Sequence, residues 1–273
     1  MKLSLIITTF ERPDALACVL KSAEQQSVLP DELIIADDGS GPTTRDLIAR
    51  FKARCVRPVT HSWQPHEAFR VCRARNLALS QASGDYVVIL DGDMMMHPHF
   101  IADHRRCARP GCWVQGTRIL LDARRSADLI ANGPRRLSPW SVGSAGLRRL
   151  YAARVPALSR GLSRIANGFV STKSCNLAAW SSDLERVNAF NEDMIGWGPE
   201  DKELAARLKH SGVRRRTLIF GGIAYHLHHP AASREHRVAN ERVLADTLRE
   251  RRVRCEHGLS EHRRPGRRSS DTV

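Results

Sequence analysis

Apolar and polar positions alternate in blocks along the first ninety residues. Leu3–Thr9 is a short apolar run that ends in two threonines. Pro13 then opens a stretch in which Ala15, Leu16, Val19, Leu20 and Ala23 recur at helical spacing. Proline suits a first helical position, where its missing N–H would have no partner anyway. Leu33–Ala36 is a second apolar run, closed by Asp37-Asp38-Gly39-Ser40. The pattern predicts a polar helix over Thr43–Lys52 and a third strand over Val56–His61. It predicts another helix over Glu67–Gln81, with Ala68, Val71, Cys72, Leu77 and Ala78 available to pack. Tyr86–Leu90 reads as a strand and runs into Asp91-Gly92-Asp93. Strands rich in Val and Ile that alternate with helices predict an α/β fold, Rossmann-like, with a mostly parallel central sheet flanked by helices.

Polar clusters fall at the carboxyl ends of the first, second and fourth strand candidates. In an open parallel sheet the ligand crevice lies outside those ends, so the clusters should converge on one site. Further along, regular pattern returns at Ser174–Trp180, and Glu200–Lys209 reads as a helix stopped by Gly212. Leu218–Phe220 and Ile223–Leu227 look like short strands, and 233–255 is a charged helical pattern. The expected organisation is one domain over 1–258. It comprises a nucleotide-binding half (1–122), a basic variable insertion (123–169) and an acceptor and metal half (170–258) as a C-terminal extension. Residues 259–273 are expected to form a disordered basic tail.

Composition sharpens this picture. The 273 residues carry 43 Lys and Arg against 29 Asp and Glu, a formal +14. More than half of the excess comes from 129–182, which holds Arg135, Arg136, Arg148, Arg149, Arg154, Arg160, Arg164 and Lys173 and no acid. With 42% hydrophobic residues, global disorder is excluded. No apolar run approaches the ~18 residues of a membrane span, and the N-terminus is a poor signal peptide. A secreted or membrane-integral protein is therefore not expected. Seven cysteines, with no Cys-x-x-Cys pair, read as reduced thiols rather than a disulfide framework or zinc site.

Five short motifs carry candidate chemistry. Asp91 and Asp93, separated by a glycine after a hydrophobic strand, can hold a hard divalent cation such as Mg²⁺ or Mn²⁺. Alone that motif is more commonly a plain turn. Asp37–Ser40 is also a polar turn by default, but its place at the carboxyl end of a second parallel strand favours a ligand role, where a carboxylate could accept hydrogen bonds from a nucleobase or a ribose. Arg73-Ala74-Arg75-Asn76 offers forked donors to a diphosphate, or a solvated helix face. Trp197-Gly198-Pro199-Glu200-Asp201 places two acids in a first helical turn. The helix dipole favours them there, and one of them could also serve as a general base. In Tyr225-His226-Leu227-His228-His229, alternation puts His226 and His228 on one face of an extended strand, where one could complete a metal site.

Taken together, these residues resemble the family 2 glycosyltransferases. The resemblance rests on Ile-Ile-Thr-Thr-Phe-Glu-Arg at 6–12, Asp-Asp-Gly-Ser at 37–40, Arg-Ala-Arg-Asn at 73–76 and the strand with Asp-Gly-Asp at 84–93. The segment at 196–208 resembles the C-terminal galactosyltransferase-type segment of chondroitin-synthase-like enzymes. Coverage is roughly 1–122 and 170–229, and 123–169 matches nothing.

The resemblance implies an inverting, metal-dependent transferase of hexosyl or N-acetylhexosaminyl groups. It implies Thr8, Thr9, Glu11, Asp38, Arg75, Asp91 and Trp197 around a UDP-sugar, and Asp93 with His226 or His228 on Mn²⁺ or Mg²⁺. Asp201 would be the base, and Glu200 would help to hold the acceptor or donor sugar. The implied acceptor is a glycan or lipid-linked glycan. The implied setting is bacterial lipopolysaccharide or other surface polysaccharide synthesis, in the cytoplasm and peripheral on the inner face of the inner membrane. The basic stretch would then face an anionic membrane surface or a phosphorylated acceptor. The competing reading is a basic nucleic-acid- or membrane-surface-binding protein with a non-catalytic transferase-like fold. Aromatic residues at 5% and the lack of a nucleic-acid-binding motif argue against nucleic acid.

Overall fold

The structure, a computed structural model, describes residues 1–142, 146–163, 165–166, 168, 172–230 and 235–263. The strands are β1 (Leu3–Thr9), β2 (Glu32–Asp37), β3 (Val59–Trp63), β4 (Tyr86–Asp91), β5 (Met94–Met96), β6 (Cys112–Gln115), β7 (Thr117–Leu120), β8 (Ile165–Ala166), β9 (Asn176–Trp180), β10 (Arg214–Thr217) and β11 (Ile223–His226). The helices are α1 (Pro13–Glu24), α2 (Pro42–Arg54), α3 (Val71–Gln81), α4 (Phe100–Cys107), α5 (Ala123–Asn132), α6 (Pro156–Leu162), α7 (Ser181–Arg186), α8 (Glu200–His210) and α9 (Arg237–Arg249). Two 3₁₀ turns span Gly146–Ala152 and Leu259–His262.

Eight strands form one sheet in the order β3-β2-β1-β4-β9-β6-β10-β8. The first four are mutually parallel, β9 runs against both β4 and β6, and β10 runs with β6. The expected α/β sheet with mostly parallel strands is therefore present. β1 is buried along its whole length because helices cover both faces. Leu5, Ile7, Ile35 and Val88 pack with Leu16 and Val19 of α1, and Ile6, Ile34, Val87 and Ile89 pack with Leu204 and Leu208 of α8 on the other side. Sheet order reverses between β1 and β4, so the loops after these two strands open a crevice at a topological switch point. A second sheet, β5-β11-β7, pairs His226 with Met94 and so brings the end of β11 beside Asp93.

Several boundaries differ from the sequence reading. β3 starts at Val59, and Val56 is exposed. α3 starts at Val71 because the preceding residues turn, with Ala68 at a positive φ. Leu218–Phe220 is not a strand: Phe220 has φ 54°, and the pairing segment is the arginine-rich β10 before it. The expected disordered tail is corrected at its start. Leu259–His262 is a 3₁₀ turn, with Leu259 buried and its N–H donating to Asn188 O at 3.1 Å. The rest of that tail, 264–273, lies outside the described residues, as do Arg164 and the side chain of Arg148. All seven cysteines are free thiols.

Candidate active site

A cavity of about 590 Å³ opens at the carboxyl ends of β1 and β4. Gly92 allows the two strand ends to meet. Its N–H donates to Thr8 O at 2.6 Å, and a Cβ there would lie 2.6 Å from that same oxygen. Asp91 and Asp93 thereby project on either side of a turn pressed against β1. Thr8, Thr9, Asp38, Arg75, Asp91, Asp93, Trp197, Glu200, Asp201 and His226 all line the cavity, so the structure brings together ten of the twelve residues singled out from sequence.

Glu11 and His228 do not join them. Glu11 has φ 45°, which turns its exposed side chain away, and its carboxylate accepts the Gly41 N–H at the start of α2, at 2.6 Å. His228 is exposed, and its backbone N–H donates to Ser126 Oγ at 2.7 Å. Strand alternation fails there because β11 ends at His226. Leu227 turns inward, with its N–H on Asp93 O at 2.8 Å, and the chain then delivers His229. His229 Nε2 lies 3.2 Å from Asp93 Oδ2, and His226 Nε2 lies 3.7 Å from Asp93 Oδ1. One ligand atom from each of Asp93, His226 and His229 falls within 4.8 Å of the others.

The trio combines a buried carboxyl, with Arg12 at 3.6 Å, and an imidazole held neutral by burial. Asp93 Oδ1 is buried without a hydrogen-bond partner. Burial, reinforced by Asp91, raises the Asp93 carboxyl to about 6. Burial, with Arg118 beside it, lowers His226 to about 4, so its imidazole is neutral and has a lone pair to offer. One carboxylate and two imidazole side chains make a mixed oxygen and nitrogen set that fits a divalent cation.

Arg75 occupies the centre. Although almost fully buried, it donates to Asp91 Oδ1 at 3.0 Å, Glu200 Oε1 at 3.3 Å and Thr8 Oγ1 at 3.3 Å, and lies over the Phe190 ring. Two carboxylates keep it charged against burial. Glu200 is raised to about 7 by burial, with Arg75 opposing. Asp201 is also raised by burial, opposed by the Lys202 N–H at 2.7 Å. At the opposite end, Asp38 accepts from Gln64 Nε2 at 2.5 Å and from the Arg70 N–H at 2.9 Å, and burial raises its carboxyl. Gly39, at φ 99°, turns the chain beneath His66, where a Cβ would lie 2.5 Å from the His66 nitrogen.

Sequence reasoning missed Gln64, Arg12 and His229 as members of this site. Gln64 carried no signal. Arg12 sits inside the first motif and reaches Asp93 Oδ2 at 3.6 Å, and His229 lay within the histidine cluster.

Two stretches of the chain are similar to known families. The model of glycosyl transferase family 2 matches residues 4–105, which contain β1 to β4 and Asp91-Gly92-Asp93. The chain carries a family 2 glycosyl transferase domain. The model described as the N-terminal domain of galactosyltransferase matches 163–230, the stretch that holds Glu200, Asp201 and the histidines. Validoxylamine A glucosyltransferase of Streptomyces hygroscopicus subsp. limoneus is 29% identical over 222 residues, 77% of this chain and 48% of that protein. Chondroitin synthase of Escherichia coli is 26% identical over 264 residues, 91% of this chain and 38% of that protein. The chain thus spans about half or less of these relatives' length. Among solved structures, S. aureus TarS 1-349 in complex with UDP-GlcNAc superposes with a TM-score of 0.59 at 16% identity, covering 90% of this chain and 66% of that one. The mannosyltransferase PcManGT from Pyrobaculum calidifontis, in complex with GDP-Man and Mn²⁺, gives 0.57 at 19%, covering 83% and 56%. At such identities the likeness is one of fold.

Proposed function

We propose that this chain is an inverting, metal-dependent glycosyltransferase that moves a sugar from a UDP-sugar to a hydroxyl of a glycan or lipid-linked glycan. The observation that carries the reading is one cavity with the Asp93, His226 and His229 trio on one side, Glu200 and Asp201 on the other, and Arg75 bridging them. The UDP and Mn²⁺ in complexes of proteins with the same fold support the choice of donor and metal.

Asp93, His226 and His229 would hold a divalent cation, which would supply neutralising charge to a departing diphosphate. This chain's own groups do the rest. Asp38 accepts hydrogen bonds from the nucleobase, and Thr8 and Thr9 line the path to the sugar. Arg75 holds Asp91 in place by a fork that lysine could not reproduce. Asp201 takes the proton from the acceptor hydroxyl as that oxygen attacks the sugar carbon, and burial moves its carboxyl toward the range of a working base. Trp197, exposed at the cavity mouth, offers a face to a sugar ring. Direct displacement leaves no covalent enzyme intermediate and inverts the anomeric centre.

The setting we favour is synthesis of a bacterial surface polysaccharide or lipopolysaccharide on the inner face of the inner membrane. The polysaccharide synthase among the relatives and the acid-free basic stretch at 129–182 support it. No helix among the described residues is long and apolar enough to cross a membrane. The test is a panel of UDP- and GDP-sugars with Mn²⁺, read as donor hydrolysis and thermal shift. A UDP-sugar should stabilise the chain and release UDP only with metal present. Equal response to every nucleotide, or none, would refute the reading.

A further inference from the structure

The cations that line the cavity differ in their partners. Six Arg and Lys residues line it. Arg12 pairs with Asp93, Arg75 with Asp91 and Glu200, and Arg237 with Glu241. Arg118 stands by His226, on the side of the metal trio, where a diphosphate would leave. Two cations remain, Lys173 and Lys202, and both act on the Asp201 carboxyl, favouring its charged form. Neither ammonium group makes an ion pair or hydrogen bond among the described residues.

Their placement is specified by the fold. The backbone of Lys173 is clamped from both directions by Gln115, whose Oε1 accepts the Lys173 N–H at 2.7 Å and whose Nε2 donates to Lys173 O at 3.1 Å. Lys202 lies in the first turn of α8, where the helix dipole disfavours a cation. It shares that turn with Glu200, Asp201 and Glu203, and it lines the cavity beside Asp201. On the donor reading, Asp93, His226 and His229 would hold the cation that neutralises the diphosphate, which leaves Lys173 and Lys202, beside Asp201, to the acceptor side.

We propose that Lys173 and Lys202 form an anion-recognising subsite for the acceptor, so that this transferase selects an acceptor carrying a carboxylate or phosphate near the attacked hydroxyl. The proposal rests on the donor reading above and on Asp201 facing the acceptor. An anion between the two ammonium groups orients the acceptor against Asp201 and gives charge-assisted hydrogen bonds that a neutral sugar cannot make. Screening by salt should weaken that advantage.

The test uses the full chain loaded with UDP and Mn²⁺, titrated with methyl β-glucoside, methyl β-glucuronide and glucose 6-phosphate. Wild type should bind an anionic probe about tenfold more tightly than the neutral glucoside at low salt. In K173Q/K202Q that ratio should collapse toward one while glucoside affinity and thermal midpoint persist. Preference for the glucuronide identifies a uronate-type acceptor, and preference for the phosphate identifies a phosphorylated one. Wild type showing no preference, or a preference undiminished in the double variant, overturns the proposal and leaves the donor reading standing. Anionic probes that bind only when UDP is absent also overturn it, because they then occupy the diphosphate's place. If UDP itself fails to bind wild type, the donor reading falls, and this inference with it.

Discussion

Replacing Arg75 by methionine tests the centre of the site. The guanidinium is 3% exposed and is the shared ion-pair partner of Asp91 and Glu200. Methionine fills most of the volume but leaves two carboxylates facing each other without a cation. Breaking a buried pair in this way costs about 3–5 kcal/mol. For a chain of 273 residues, unfolding entropy corresponds to about 2 °C per kcal/mol, so the midpoint should fall by roughly 5–9 °C. The loss should depend on pH. Glu200, held at about 7 in the folded chain against 4.5 otherwise, retains a proton that the unfolded chain releases. Its burial therefore costs little below pH 4.5, and stability falls as pH rises toward 7. Without Arg75 the carboxyl moves higher still, so the deficit of R75M should be small at pH 5 and full at pH 8. Urea unfolding of both proteins at the two pH values, without added metal, measures it. R75K should fall between, since it keeps the charge and loses the fork. A variant within 1 kcal/mol of wild type at pH 8 would refute the idea that Arg75 holds two carboxylates in a single charged cluster.

Other consequences follow from the same geometry. Mn²⁺ at about a hundred times its Kd should add about 2.7 kcal/mol to wild-type stability in a thermal shift; D93N and H229A should lose that gain, and H228A should keep it. D201N should lower transfer about 10²- to 10⁴-fold while UDP-sugar affinity stays within about threefold, and near-normal turnover would remove Asp201 from the role of base. His104, fully buried against Asn176 at 3.0 Å, is lowered by burial to about 4. Between pH 6.5 and 4 the unfolded chain takes the proton that the folded chain refuses, so stability should decline by about 3 kcal/mol across that window, and H104Q should flatten the decline in urea midpoints.

How much of this was legible in sequence depended on how each residue is buried. β1, β2 and β4 are covered on both faces, so they read as unbroken apolar runs, and the acids at their ends stood out by contrast. β10 gave no such signal. Arg214 is exposed, Arg215 lies over Trp113, and Arg216 donates to the carbonyls of Ser163 and Cys107; the strand character comes from pairing with β6. Glu203 and Arg207 are charged residues of α8, yet both are buried, because the fork of Arg207 is closed by Glu203 and by the carbonyls of Val187 and Ala189. His226 and His228 were paired by assuming that an extended strand continues. The ligand set depends on where β11 stops, and that is decided by tertiary contacts of Leu227. Glu11 sat in the right motif, but its backbone conformation was invisible to a pattern of residue types.

The two regions matched by separate family models are not separable pieces of the molecule. β9 belongs to the second region, yet it pairs residue by residue with β4 of the first, from Tyr86 with Trp180 to Leu90 with Asn176. Asn76 of α3 holds the chain just before α8 through the carbonyl and N–H of Phe190, at 2.7 and 3.0 Å. One residue earlier in sequence, Arg75 joins Asp91 to Glu200. Removing the second region would leave β4 an open hydrophobic edge and Arg75 with half its partners, so the nucleotide half should aggregate rather than fold alone. The same linkage gives the site its logic. Adjacent residues on one helix fix the distance between Asp91 and Glu200, so the spacing of the two carboxylates is set by a rigid element rather than by loops.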